Sequence, residues 1–303
     1  MTTRRQFLAS TLVAPIVGSL NRQDAAPGRS LVVDTHLHCF AGKEDKRFPY
    51  HKDAPYERDE PATPEHLLRC MAGAGVDHAI VVHPEPYQDN HRYLEHCLEV
   101  GKGKLKGTCL VFAGHDGVEN QLRDLAKKLP IVAMRIHAYN PDRLPPFGKP
   151  ELRDLWKLAG DLGLAVQLHF EPRWAPGFEP YIKEFKSIRV LIDHLGRPFQ
   201  GTAKEHAVVL GWGEFDHVVM KLTSIPDRRS YPHRDAAPVV KQLTEAFGAD
   251  RLMYGGGYGA KATGESYRAE RERLAGFLAH LSAADRGKVF GGTAAGLFGF
   301  NSG

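Results

Sequence analysis

The 303-residue chain has only four cysteines, and Cys39, Cys70, Cys97 and Cys109 all lie in its first half with no C-x-x-C pair. A disulfide framework and a thiolate zinc site are thereby excluded. No apolar run in the body of the chain approaches the ~20 residues that a membrane helix needs. With a mean hydropathy of −0.35, that excludes a polytopic membrane protein. A large excess of one charge is also missing: the formal net charge is +4, and half of it comes from Arg4, Arg5 and Arg22 against Asp24. A nucleic-acid partner is not suggested. The chain has no G-x-x-x-x-G-K-[ST] phosphate loop, no internal repeat and no low-complexity linker. What it does have is 16 histidines, and imidazole is both the commonest metal ligand and the side chain that titrates near neutrality. The inventory points to catalysis or to metal.

At the N-terminus, Thr3-Arg4-Arg5-Gln6-Phe7-Leu8 leads into an apolar stretch over 8–20 and then a polar, small-residue segment over 21–28. Basic region, short hydrophobic core and processing region are the order of an export signal. The paired arginines followed by Phe and Leu resemble the twin-arginine signal, which implies the twin-arginine export machinery as a partner and a periplasmic or other extracytoplasmic destination. Residues 1–27 are therefore assigned to the signal and 28–303 to one domain.

From Ser30 onward, short apolar runs alternate with amphipathic stretches, the pattern of parallel strands crossed by helices. Strands are predicted over 31–36, 79–83, 107–112, 132–137, 165–170, 190–194, 218–222 and 252–255. Helical patterns over 64–74 (after a Thr63 cap), 90–100, 118–128, 152–162, 237–247 and 267–281 follow most of them. Eight such units in one chain predict a single-domain α/β fold, the (β/α)8 TIM barrel. The long segment over 41–62, with Tyr50, His51 and Tyr56, reads as a functional loop or lid.

In a barrel of this kind the chemistry sits at the carboxyl ends of the strands, and side chains two apart share a face. His36 and His38 share parity with Asp34 on the first strand. Arg135 and His137 do so on the fourth, and Gln167, His169 and Glu171 on the fifth. His194 ends the sixth strand and Lys221 lies near the end of the seventh. Such a set of imidazoles, unpaired in a core, would carry a heavy desolvation cost. A shared site is the better account. His83, at the end of the second strand, is a weaker candidate.

These residues resemble the amidohydrolase-related family of TIM-barrel hydrolases, in particular its lactonase-like branch. The resemblance rests on Val33-Asp34-Thr35-His36-Leu37-His38, the His169 strand end, Ile192-Asp193-His194-Leu195-Gly196-Arg197-Pro198, Met220-Lys221-Leu222, Arg251-Leu252-Met253-Tyr254-Gly255 and Gly291-Gly292-Thr293-Ala294-Ala295. It implies a site built from His36, His38, His169 and often His194. It also implies an acidic residue at the end of strand eight. Here the chain departs from the family pattern. Gly255-Gly256-Gly257-Tyr258-Gly259 places Gly257 at the position of that aspartate.

Three readings follow. In one, His36, His38 and His169 hold a zinc-like divalent ion that lowers the pKa of a bound water, with Glu171 as the base and Asp193, on the opposite face by alternation, in a supporting role. In the second no metal binds, and Arg135, His137, Lys221 and Arg197 bind an anionic or carbonyl substrate while a histidine or Glu171 activates water. In the third the barrel only binds a ligand. The expectation is a hydrolase that opens a lactone or similar cyclic ester. A metal-dependent decarboxylase or other C–C lyase is the rival chemistry.

Overall fold

The computed structural model describes residues 30–301; the expected export signal lies outside them. Strands β1 (Val33–Leu37), β2 (His78–Val82), β3 (Leu105–Leu110), β4 (Ile131–Ala138), β5 (Ala165–Phe170), β6 (Val190–Ile192), β7 (Val218–Leu222) and β8 (Leu252–Tyr254) form one parallel sheet in chain order. Parallel neighbours require crossovers. Those are made by α1 (Pro64–Ala74), α2 (Arg92–Val100), α3 (Val118–Lys128), α4 (Pro150–Asp161), α5 (Ala175–Glu184), α6 (Ala203–Gly211) and α7 (Ala236–Phe247), with α8 (Gly264–Phe277) following β8. The expected eight-unit barrel is present. Among the described residues no helix is long and apolar enough to cross a membrane.

Local chemistry sets the helix ends. The Thr63 hydroxyl accepts from His66 N at 3.3 Å, Pro64 opens α1, and Gly75 closes it at φ +69°. That is an N-cap and a left-handed C-cap. α6 starts with a reciprocal box: Glu205 N donates to Thr202 Oγ1 at 3.2 Å and Thr202 N to Glu205 Oε2 at 2.7 Å.

The barrel interior is layered. Val33, Ile80, Ala133, Ala165, Leu191, Val219 and Met253 form an apolar floor, covered from below by Ala294 and Phe300. Two residues further along the strands come Thr35, Arg135, Gln167, Asp193, Lys221 and Gly255. Of these, the polar side chains are all buried. Registry brings the floor and this polar layer together, with Arg135 beside Gln167 and Lys221 beside Met253. The ladder runs from β1 to β8, and the remaining seam is bridged by side chains. Thr35 Oγ1 donates to the Tyr254 carbonyl at 2.8 Å, and Gly256 N donates to Asp34 Oδ1 at 2.9 Å.

Candidate active site

Asp193 is the hub of the polar layer. Its carboxylate accepts from His36 Nδ1 at 3.1 Å, from Gln167 Nε2 at 2.9 and 3.0 Å, and from Arg135 Nε and Nη2 at 2.9 and 2.8 Å. Lys221 Nζ lies 3.8 Å away and donates to Thr35 O and Gln167 Oε1 at 2.9 and 2.8 Å. Burial would raise the Asp193 pKa, but His36, Arg135 and Lys221 together hold it well below the usual carboxylate range. The Lys221 ammonium is pushed down to about 8, chiefly by burial. Asp193 was expected to face away from the interior. It faces in with the parity of inward Leu191, two positions before it, whereas His194 reaches the mouth only through the turn beyond the end of β6 at Ile192. Arg135 and Lys221 were expected to bind substrate. Both are instead engaged with Asp193 beneath the mouth, 3% and 0% exposed.

Above this layer the histidines meet in a chain. Ring centroids are 5.1 Å apart for His36 and His38, 4.5 Å for His36 and His194, 5.1 Å for His194 and His169, and 4.9 Å for His169 and His137. Burial lowers the pKa of each. His38 and His194 are pushed down to about 3, His137 to about 4, and His36 and His169 well below their ordinary value. Neutral rings therefore line the mouth at neutral pH. His36 Nδ1–H donates to Asp193, which leaves Nε2 as a buried nitrogen with no hydrogen-bond partner. His38 Nδ1 bonds the Val82 carbonyl at 2.7 Å, and His169 Nε2 accepts from Arg197 Nη1 at 2.6 Å.

Two backbone irregularities produce this convergence. The register of β1 on β2 shifts between Asp34 and Leu37, as at a β-bulge. Asp34 and His36, expected on one face, consequently have different surroundings. The Asp34 carboxylate accepts from Tyr267 OH of α8 at 2.5 Å and from His36 N at 2.8 Å, while the His36 ring meets Asp193. After β6, His194, Leu195, Gly196 and Arg197 all take positive φ, at +55°, +59°, +69° and +54°. This left-handed turn costs about 1–2 kcal/mol for each non-glycine residue. It brings both His194 and Arg197 to the mouth. Gly196 is required there twice over, since a Cβ would also lie 2.6 Å from Val209 Cγ1.

Other expected residues fall elsewhere. Glu171 pairs with Arg173 at 2.6 Å on the rim and lines none of the three mouth cavities, so the carboxylate expected to act as base is held by a guanidinium. His83 stacks on His91 at 4.2 Å and bonds the Gln88 carbonyl, a structural role. His137 borders a cavity of about 450 Å³ with Gln88 and Arg143, whereas His36, His194 and Tyr56 border one of about 1010 Å³. Sequence reasoning missed Thr223 and Ser224, whose hydroxyls lie 2.7 and 3.0 Å from His194 Nδ1. No motif marks them. At Gly257, φ is +110° and a Cβ would lie 2.9 Å from the Tyr267 ring and 3.0 Å from Glu270 Cβ. The end of β8 has no room for the missing aspartate.

His36, His38 and His169 do not form a metal-spaced group. Among the described residues the group that does is His36, Asp193 and His194, whose ligand-type atoms lie within 4.8 Å of one another. This is a possible metal site by composition, but the residues do not fit a resident divalent ion. A carboxylate offers about four lone-pair positions, and Asp193 already meets His36, Gln167 and Arg135 in five bonds. A cation at Asp193 would also face the Arg135 guanidinium and the Lys221 ammonium, a buried like-charge contact.

A nearly closed α/β barrel with its titratable groups gathered at the carboxyl ends of the strands is the architecture of a barrel enzyme. The amidohydrolase family model matches residues 33–300; the chain belongs to that family and is a hydrolase. It is 28% identical over 247 residues, 74% of this chain and 78% of the relative, to an L-fucono-1,5-lactonase of Burkholderia ambifaria. Its fold matches that of a Pseudomonas putida protein assigned as a 2-pyrone-4,6-dicarboxylic acid hydrolase, with a TM-score of 0.73 at 23% identity, covering 90% of this chain and 99% of that one. It also matches an amidohydrolase of Burkholderia multivorans with bound zinc, with a TM-score of 0.70 at 17% identity, covering 89% and 100%.

Proposed function

We propose that this hydrolase opens a lactone or similar cyclic ester by attack of water on the ring carbonyl, with His36 as the base. The observation that carries the reading is the His36–Asp193 pair, in which Nδ1–H is held by a buried carboxylate at 3.1 Å and Nε2 is left without a partner in a residue that borders the larger mouth cavity. A carboxylate behind an imidazole fixes its tautomer and stabilises the imidazolium that forms on proton transfer. Water oxygen adds to the carbonyl carbon as His36 Nε2 takes its proton. The tetrahedral oxyanion then expels the ring oxygen, which receives that proton from His36 and leaves as the hydroxyl of a hydroxy acid. General-base catalysis of this kind contributes about 10²–10⁴-fold. Arg197, at the rim beside His169, supplies positive charge for a polar or carboxylated substituent.

This arrangement accounts for catalysis with glycine at position 257, which otherwise favours a ligand-binding barrel. The name of the 28%-identical relative supports a lactone as the substrate class. The test is a panel of sugar and carboxylated lactones followed by acid release at constant pH. Ring opening is expected. Release of carbon dioxide from carboxylated aromatic substrates would favour the lyase instead, and saturable binding with no turnover the binding barrel. Export is proposed on the Arg4-Arg5 segment, and a double Arg→Lys substitution there is expected to keep the protein out of the periplasmic fraction; unchanged fractionation would remove the signal reading.

A further inference from the structure

We infer that Thr223 sets the tautomer of His194, so that His194 presents Nε2–H to the mouth as a neutral hydrogen-bond donor facing the bare Nε2 of His36. Thr223 lies just beyond β7 and is buried, with a single hydroxyl proton. Its Oγ1 accepts from the backbone N of His194 at 3.2 Å and lies 2.7 Å from His194 Nδ1. No other acceptor among the described residues pairs with that hydroxyl, so its proton goes to Nδ1. A nitrogen that accepts carries no proton, and the neutral ring then holds its proton on Nε2. Ser224 Oγ lies 3.0 Å from the same Nδ1 and, as a hydroxyl, pairs with either tautomer. Nε2 has no hydrogen-bond partner among the described residues, and His194 borders the cavity it shares with His36.

The backbone points the same way. His194 and Ser224 sit at φ +55° and +52°, each costing of order 1 kcal/mol for a residue with a side chain, and such conformations persist where their surroundings over-determine them. The strain keeps the His194 backbone N–H and Nδ1 on one hydroxyl. Two imidazoles with centroids 4.5 Å apart thus carry opposite tautomers: His36 is a base at Nε2 and His194 a donor at Nε2. On the proposed reaction, which this inference rests on, a neutral imidazole donor polarises the carbonyl and donates a hydrogen bond that strengthens as the oxyanion forms, as preorganised donors do. His194 is then a catalytic residue and Thr223 a positioning residue.

The test uses protein labelled with ¹⁵N-histidine, with His194 assigned by loss of its signals in His194→Gln. Wild-type protein at neutral pH is expected to show proton-bearing Nε2 and bare Nδ1 for His194, the reverse of His36. Thr223→Val is expected to bring proton occupancy to Nδ1 and to lower kcat about 100-fold with KM within about twofold, and Thr223→Ser to restore both. A proton on Nδ1 of His194 in the wild-type protein overturns the inference even if Thr223→Val fails to fold, as does a Thr223→Val enzyme with unchanged kcat. Neither result touches the hydrolase reading, which stands or falls on whether the wild-type enzyme opens a lactone.

Discussion

His36 and Asp193, 157 positions apart in the chain, meet at 3.1 Å inside the barrel. The carboxylate that orients the imidazole is also the partner of Arg135 at 2.8 Å and lies 3.8 Å from Lys221. One anion thus serves the proposed base and neutralises the cations beneath the mouth. The two roles separate by mutation.

His36→Gln removes the base and leaves Asp193 paired with Arg135. A kcat loss of about 10²–10⁴-fold with Tm little changed is expected. Asp193→Asn removes the base's support and also strands a buried guanidinium, which costs about 3–5 kcal/mol; kcat and Tm should both fall. Steady-state kinetics and thermal melts on the two variants check this. Wild-type kcat in His36→Gln would end the base assignment.

Metal removal should have little effect. The Asp193 oxygens are engaged by His36, Gln167 and Arg135, and Arg135 cannot give up its proton. Activity is expected to survive prolonged treatment with a strong chelator, and elemental analysis of active enzyme should find well under one equivalent of zinc. Loss of activity on chelation, restored by zinc, would show that the network rearranges around an ion.

The fold was legible because buried parallel strands read as continuous apolar runs, and β5 and β7 fall where the runs over 165–170 and 218–222 place them. The gathering of His36, His38, His137, His169 and His194 was legible from their positions at strand ends. Their partners were not, because alternation is a reliable guide only while a strand continues. β6 stops at Ile192, so parity counted back from His194 misplaced Asp193, which faces inward with Leu191, and the left-handed turn brought in His194, which strict parity would have sent outward. The irregularity in β1 likewise separated Asp34 from His36. Neither a bulge nor a run of positive φ on residues with side chains has a composition signature strong enough to read from one chain.

Restoring the aspartate of the family pattern should not restore a family mechanism. Gly257 is at φ +110° and its Cβ position is 2.9 Å from the Tyr267 ring. Tyr267 is itself held at 2.5 Å by Asp34, so it has little freedom to move aside. Gly257→Asp is expected to cost about 2–5 kcal/mol, combining backbone strain with overpacking, with no gain in kcat. Urea denaturation and kinetics check both parts, and a stable, faster variant would mean that the end of β8 rearranges to accept a carboxylate.

Acid should unfold the chain earlier than its carboxylates alone require. His91 Nδ1–H donates to Asp89 O at 2.9 Å while Nε2 accepts Leu110 N–H at 3.2 Å, a pattern that only the neutral ring can make. Burial pushes its pKa down to about 4, and that of stacked His83 well below its ordinary value. Above the unfolded value of about 6.5 both rings are neutral in both states, and their contribution to stability is complete. As pH falls below it, the unfolded chain takes up protons that the folded chain refuses. Stability therefore drops by up to about 1.4 kcal/mol per pH unit for each such group, until folded His91 titrates near pH 4. Urea midpoints measured from pH 7 to 4 should fall steadily, and His91→Gln, whose amide can both donate and accept, should flatten the slope. An unchanged slope in that variant would assign the acid sensitivity to the other buried histidines.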